Sequence, residues 1–158
     1  MTVLIVSSFA DPHAQAVITA LNGLGAPVEL LDLADYPGKL TLTLAFGRDS
    51  RRLQVRRPGE GQLDLDAVRA VWWRRPSAFV LPDTLRDPAH RRLALSEAST
   101  AFYGAYESMH ALWINRPALD AVAGHKPYQL ALAQTVGLEI PETMMTSDPE
   151  EVRDFWHT

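Results

Sequence analysis

Lys126 is an isolated cation at a position where the sequence predicts the start of a helix. Pro127 follows it, and proline is tolerated at the first helical position because its missing N–H would be unpaired there anyway. The helix is predicted to end before Gly137, after an apolar face made by Leu130, Leu132, Ala133 and Val136. A lysine gains nothing from the positive end of a helix dipole unless an anion lies nearby. Two interpretations follow: a solvated lysine at a loop–helix junction, or a contact to a phosphate group.

Arg74 and Arg75 form a second group of side chains that could bind a ligand. They follow a strand predicted over residues 70–73, which Pro76 stops, so both stand near a sheet terminus. Adjacent strand residues point to opposite faces, so we expect one arginine to be paired inside and the other to lie near solvent. Forked guanidinium groups suit carboxylates and phosphates. The pair is a candidate for substrate or ligand binding, with pairing to an internal Asp or Glu as the alternative.

A third set of cations lies on a predicted β-hairpin. Residues 40–46 and 53–57 alternate with period two, and residues 47–50 between them have the composition of a turn. The second strand is decorated by Arg51, Arg52, Arg56 and Arg57. These arginines either mark a charged edge that resists sheet-to-sheet association or form a dock for an acidic peptide.

The first elements of the chain predict a βαβ unit. Residues 3–6 are an apolar run typical of a strand buried on both faces, and Asp11-Pro12 has the cap and first residue of a helix. Gly25 ends that helix before a second strand over residues 28–33. The carboxyl end of the first strand carries Ser7, Ser8 and His13, which we interpret as structural because no glycine-rich phosphate fingerprint is present.

The remaining elements are predicted from turn signals and periodicity. Residues 59–61 are expected to be a flexible connection and residues 63–68 a short turn or helix. A long helix is predicted from Asp87 to Leu112, with an apolar stripe that contains Leu95, Ser99, Phe102, Tyr106 and Met109. Residues 143–146 can form a short strand, and Asp148-Pro149 begins another helix.

Composition limits the classes of protein to which the chain can belong. Its 158 residues, 47% of them hydrophobic, can bury one core. A net charge of −4 argues against binding nucleic acid. The absence of cysteine excludes disulfides and thiolate metal sites, and the N-terminal apolar run is too short for a signal peptide or membrane helix, so we expect a cytoplasmic protein. Metal-binding and nucleophile motifs are absent, so the sequence identifies no catalytic residue and no metal ligand.

Two segments resemble one known family. Asn-x-Pro, Lys-x-x-Gln-Leu-x-x-Ala and Gly-Leu-x-Ile-Pro-x-Thr, at residues 115–143, resemble the entry to an ATP-grasp domain. Trp-Arg-Arg-Pro at residues 73–76 looks like a segment of the pre-ATP-grasp domain of the microviridin (MvdC/MvdD, graspetide) peptide maturases. Many relatives carry an acid just before the lysine, where this chain has His125. The resemblance implies that Lys126 reaches nucleotide phosphate.

The resemblance also implies a fold and a reaction. The fold is an α/β, Rossmann-like pre-ATP-grasp domain over residues 1–114, with a mainly parallel sheet, a β-hairpin and flanking helices. Residues 115–158 would begin an ATP-grasp domain and leave it incomplete. The parent enzyme would use ATP and Mg²⁺ to activate Asp or Glu side chains of a leader–core precursor peptide as acyl phosphates, which a hydroxyl or amine attacks to give a lactone or lactam. A homodimer is a candidate assembly, with no nucleic-acid or membrane partner.

Two other classes of function compete with this interpretation. The chain could be a non-catalytic peptide-binding or dimerisation module that uses the arginine hairpin. A nucleotide-binding Rossmann enzyme is disfavoured by the missing Gly-x-Gly-x-x-Gly after the first strand. The second lysine and the acidic magnesium ligands of an intact ATP-grasp ligase are not identifiable, so we expect this chain alone to bind no cofactor productively and to be inactive. A gene that continues past Thr158 with those elements would favour the ligase.

Overall fold

The computed structural model describes residues 2–59 and 61–157, which fall into two compact units. The units are Met1–Arg116 and Pro117–Thr158. The first unit consists, in chain order, of β1 (Thr2–Val6), α1 (Pro12–Gly23), β2 (Val28–Leu31), β3 (Thr41–Phe46), β4 (Arg51–Arg57), β5 (Gly61–Asp64), β6 (Val68–Trp73), α2 (Pro88–Ser108) and β7 (Leu112–Ile114). The second unit contains α3 (Pro117–Ala123), α4 (Lys126–Thr135) and α5 (Pro149–Trp156). None of the described helices has the length and apolar character needed to cross a membrane.

The main sheet of the first unit is parallel, with the strand order β2-β1-β6-β7. Leu4, Ile5 and Val6 are fully buried, as expected for a central strand whose two faces are covered. The predicted βαβ beginning is confirmed. The second strand ends at Leu31, earlier than predicted, because Asp32 accepts a hydrogen bond from the Ala34 amide (3.0 Å) and starts a short 3₁₀ turn.

The predicted hairpin is confirmed as part of a second, antiparallel sheet with the order β3-β4-β5. The turn is closed by a hydrogen bond from the Gly47 amide to the Ser50 carbonyl (2.7 Å). The third strand, β5, was not predicted: the sequence suggested a flexible connection there. Gly61 adopts φ 103°, a left-handed conformation open to glycine, and this lets the chain enter the strand beside β4. Glu60, which belongs to the predicted connection, lies outside the described residues.

Helix α2 is shorter than predicted, since it ends at Ser108 rather than Leu112. From Leu112 the chain pairs with β6 as the parallel strand β7, so Leu112 joins the sheet instead of the helix. The predicted apolar stripe is confirmed where Phe102, Tyr106 and Met109 are buried, whereas Leu95 is exposed near the start of the helix. Phe102 and Tyr106 belong to a cluster of aromatic rings that also contains Tyr36, Phe79, Trp73 and Trp113.

The second unit contains the helix start predicted at Lys126-Pro127 and the helix predicted after Asp148. Gly137 takes φ 76° after α4, as the C-terminal signal predicted. Helix α3 was not predicted, because Pro117 looked like part of a turn and is instead the first helical residue. The strand predicted over residues 143–146 is wrong. In the described part of the chain that segment has no ladder partner and belongs to neither sheet.

Candidate functional site

The carboxyl ends of β1 and β6 lie side by side in the parallel sheet. The chain runs from β1 to its neighbour β2 on one side and later returns to β6 on the other side, so the strand order reverses between β1 and β6. In open α/β sheets, ligands bind outside the carboxyl ends of the strands at such a switch point. The residues that follow these two strands, Ser7 and Arg74, therefore mark the candidate site.

Asp11 is the centre of a hydrogen-bonded cluster at this point. Its Oδ2 accepts from Ser7 Oγ (3.2 Å) and from Arg74 Nε (3.2 Å), and its Oδ1 accepts from the His13 amide (2.9 Å), which caps α1. Desolvation acts to raise the pKa of Asp11, but the hydrogen bonds from the His13 amide, Ser7, the Ala14 amide and Arg74 outweigh it and lower that pKa below its ordinary value. Asp11 is thus held as a carboxylate.

Arg74 is engaged inside the unit. Its amide donates to the Val6 carbonyl (2.9 Å), its Nε pairs with Asp11, and its guanidinium carbon lies 5.9 Å from the centroid of the Trp72 ring. Its side chain is 24% exposed. The internal pairing that the sequence allowed for one arginine is therefore present at Arg74.

Arg75 is exposed and turns away from the strand. Its φ of 43° is left-handed, which is uncommon for a residue other than glycine, and β6 has already ended at Trp73. The predicted difference in exposure between the two arginines is confirmed, but its cause is this turn rather than the alternation of a continuing strand. Arg75 lines an open pocket of about 400 Å³ together with Ser8, Ala10, Asp11, Pro12 and His13.

Ser8 and His13, for which the sequence favours a structural role, share this pocket with Arg75. Ser8 Oγ accepts a hydrogen bond from the Ala10 amide (3.2 Å). The sequence contained part of the signal, because a capped helix that begins at Pro12 places His13 in its first turn, next to the end of β1. What the sequence lacked was the fold that brings Arg75 beside them.

Lys126 is the first residue of α4 and is exposed. Its Nζ donates to Gln129 Oε1 (3.1 Å), and Gln129 in turn donates to the Ala123 carbonyl at the end of α3. His125 stands at the N-cap position without a side-chain capping bond. No described carboxylate pairs with Lys126, so its ammonium group can contact a phosphate without first breaking an ion pair.

The described residues do not form a magnesium site. Within residues 2–59 and 61–157, no group of three or more His, Cys, Asp and Glu side chains lies close enough together to hold a metal ion. Lys126 can make one contact to a phosphate group. The described residues do not provide the acidic magnesium cluster that phosphoryl transfer also uses.

The hairpin arginines divide into two pairs. Arg51 pairs with Asp66 and donates to the Ser108 carbonyl (3.1 Å), and Arg57 donates to the Leu30 carbonyl (2.6 Å). Both therefore make contacts inside the first unit. Arg52 and Arg56 alternate with them along β4 and are exposed on the opposite face of the sheet.

An open parallel sheet with a pocket at its switch point places the first unit among Rossmann-like α/β domains. A family model described as the MvdD pre-ATP-grasp domain matches residues 2–120. The chain therefore belongs to the MvdD pre-ATP-grasp family. No curated protein matches the chain significantly.

Solved structures agree with this assignment. The macrocyclase MdnC, bound with the precursor peptide MdnA from Microcystis aeruginosa MRC, is 31% identical with a TM-score of 0.87, and the match covers 98% of this chain and 49% of MdnC. MdnB from the same organism is 30% identical with a TM-score of 0.89, over 99% of this chain and 50% of MdnB. A RiPP-associated ATP-grasp ligase from Chryseobacterium gregarium, in complex with ADP and a leader and core peptide, is 26% identical with a TM-score of 0.84, over 98% of this chain and 46% of the ligase.

The chain is thus homologous to ATP-grasp ligases and macrocyclases of ribosomal peptides, and its fold matches their pre-ATP-grasp fold. It spans about half the length of these relatives.

Proposed function

We propose that this chain is the N-terminal portion of an ATP-dependent ligase that cyclises or modifies a ribosomal precursor peptide. The observation that carries the proposal is the family match over residues 2–120. It is supported by Lys126, which is exposed at the helix start that follows the matched region and pairs with no described carboxylate. In this proposal residues 1–114 are the pre-ATP-grasp domain and residues 115–158 begin the ATP-grasp domain.

The proposed reaction is the activation of Asp or Glu side chains of the peptide as acyl phosphates. A hydroxyl or amine of the same peptide then attacks the activated carbonyl carbon, phosphate leaves, and an ester or amide forms. ATP supplies the phosphoryl group, and Mg²⁺ would neutralise the charge that develops during its transfer. Since the described residues contain no acidic cluster, we assign no magnesium ligand to them.

Lys126 is the residue that we propose for nucleotide binding. The dipole of α4 and the lysine both present positive charge at the same place, which is unfavourable alone and favourable beside a phosphate. The bond from Nζ to Gln129 holds the side chain at the helix start without neutralising it. Arg74 and Arg75 are proposed for the substrate-binding end of the parallel sheet, because they follow β6 at the switch point.

The experiment that tests the proposal is a peptide modification assay. The full-length protein is incubated with ATP, Mg²⁺ and a precursor peptide encoded beside its gene. The mass of the peptide is then measured by mass spectrometry. Each ester or amide formed by condensation removes one water from the peptide, so we expect mass losses in whole-water steps that require ATP. ADP should accumulate in step with them. An unmodified peptide, with no ADP formed, would refute the ligase.

The alternative is a non-catalytic peptide-binding or dimerisation module. One observation favours it: Arg52 and Arg56 stand exposed on the outer face of the hairpin sheet, away from the internal contacts of Arg51 and Arg57. A module of this kind would bind an acidic peptide equally well with and without nucleotide. Replacing both exposed arginines by glutamine would abolish that binding, whereas the ligase would keep its ATP-dependent modification of the peptide.

A further inference from the structure

The pocket lined by Ser8, Ala10, Asp11, Pro12, His13 and Arg75, which we term the Arg75 pocket, lies at the switch point of the parallel sheet. Its volume of about 400 Å³ lies in the range of ligand sites in proteins, and it is open to solvent. A pocket of this size accepts one side chain together with the backbone that carries it.

Arg75 is the cation at this pocket that can bind a ligand. Asp11 and Arg74 form an ion pair, so their charges offset each other. No described carboxylate forms an ion pair with Arg75, which is exposed and lines the pocket. The guanidinium group of Arg75 can therefore offer its fork of N–H donors to an anion.

Two further donors line the same pocket. The Ser8 oxygen is an acceptor for the Ala10 amide, and in the part of the chain that the structure describes no bond uses its O–H hydrogen. The imidazole of His13 is exposed, and its backbone amide is already bonded to Asp11. Arg75, Ser8 and His13 thus line one cavity, and the guanidinium, hydroxyl and imidazole groups that they carry are all hydrogen-bond donors.

The local chemistry favours a carboxylate over a phosphate. The His13 amide, which a phosphate would use at the start of α1, is occupied by Asp11. The loop between β1 and α1 has no glycine-rich sequence that would let its backbone surround a phosphate. A carboxylate carries a single charge, which the single unpaired guanidinium group balances.

We propose that the Arg75 pocket recognises an Asp or Glu side chain of the peptide substrate. Arg75 binds the carboxylate, and His13 and Ser8 donate hydrogen bonds to it. The choice of a peptide as the source of the carboxylate rests on the proposed function. The pocket would hold an acidic residue of the peptide at the carboxyl end of the sheet and so contribute to the selection of acidic peptides.

The test is a binding titration with the full-length protein and no nucleotide. The probes are a short peptide with one Glu flanked by Ser and Gly, and the same peptide with Gln, each followed by heteronuclear NMR. Arg75→Gln should weaken binding of the Glu peptide about tenfold and remove the preference over the Gln peptide. His13→Ala should weaken it about two- to fivefold, as expected for the loss of one hydrogen bond. Arg69→Gln is the matched control, since Arg69 is an exposed arginine near the other end of β6.

Each result either supports or overturns the assignment. Equal binding of the two peptides, an Arg75→Gln variant that binds like the wild type, or an equal loss in Arg69→Gln would overturn it. Inorganic phosphate that competes more strongly than acetate would overturn the choice of a carboxylate. If the peptide is modified in the assay but the titrations show no preference for the Glu peptide, the proposed function stands and the Arg75 pocket does not recognise an acidic side chain. The melting temperature of each variant, measured in parallel, identifies any loss that is due to unfolding.

Discussion

Replacing Lys126 by alanine should separate nucleotide binding from folding. The side chain is exposed, and its described hydrogen bond goes to Gln129 at 3.1 Å, itself on the surface. Exposed substitutions of this kind change the free energy of unfolding by about 0.5 kcal/mol or less. Loss of one charge-assisted phosphate contact costs roughly 1.5 to 3 kcal/mol, which corresponds to an affinity loss of about ten- to a hundredfold.

Lys39→Ala is the matched control for this prediction. Lys39 also forms one surface interaction, a 3.0 Å ion pair with Asp35, and its side chain is 79% exposed. A surface ion pair contributes about 0 to 1 kcal/mol, so both variants should melt close to the wild type. Lys39, however, lies in the first unit and far along the chain from the start of α4, so its removal should leave ATP affinity unchanged.

The assay pairs calorimetric titration of ATP into the full-length protein with thermal melting of the same samples. We expect Lys126→Ala to lose affinity alone, at an unchanged melting temperature. Two results would refute the reasoning: an ATP affinity that equals that of the wild type, or a large fall in melting temperature. Either one would return Lys126 to the interpretation of a solvated lysine at a loop–helix junction.

Three further predictions concern the chain alone and its stability. The isolated 158-residue chain should show no peptide-stimulated ADP release, because its described residues provide no acidic metal cluster, and release by this chain would contradict that. Phe102→Ala should lower the free energy of unfolding, measured with urea, by about 3 to 5 kcal/mol, since the ring is fully buried beside Tyr36 and Tyr106. The control is Leu93→Ala on an exposed face of the same helix, which should change the free energy of unfolding by about 0.5 kcal/mol. Because the pKa of Asp11 is lowered from 3.8, its contribution to stability is present above that pH and is lost as the pH falls through the lowered value. The difference in melting temperature between the wild type and Asp11→Asn should therefore shrink below about pH 4, and a difference that stays constant down to pH 3 would show that the carboxylate is not held in this way.

The parts of the fold that the sequence predicted are those with local signals. The apolar run of β1, the Asp11 cap and the period-two hairpin each depend on residues only a few positions apart. The missed strand β5 is short, contains Gly61 and Asp64, and is stabilised by its partner β4. The end of α2 was misplaced for the same reason: Leu112 continues the apolar pattern of the helix, and its pairing with Ala70 of β6 decides its conformation.

The same distinction applies to the candidate sites. The position of Lys126 at a helix start was predictable because Pro127 is its neighbour in sequence, and the structure agrees. The partner of Arg74 was not predictable, since Asp11 is separated from it by 63 positions and becomes adjacent through the parallel pairing of β1 and β6.

Arg74 and Arg75 illustrate how much one turn of the backbone decides. The sequence predicted that adjacent arginines would differ in exposure but could not assign which one would face solvent. Because β6 ends at Trp73 and Arg75 has a left-handed φ, Arg75 is the arginine that faces solvent, and it lines the same pocket as His13. Substitutions at Asp11 and at Lys126 should therefore differ in how many contacts they alter. A change at Asp11 alters the cap of α1, the ion pair with Arg74 and the wall of the Arg75 pocket together, whereas a change at Lys126 removes a single surface contact.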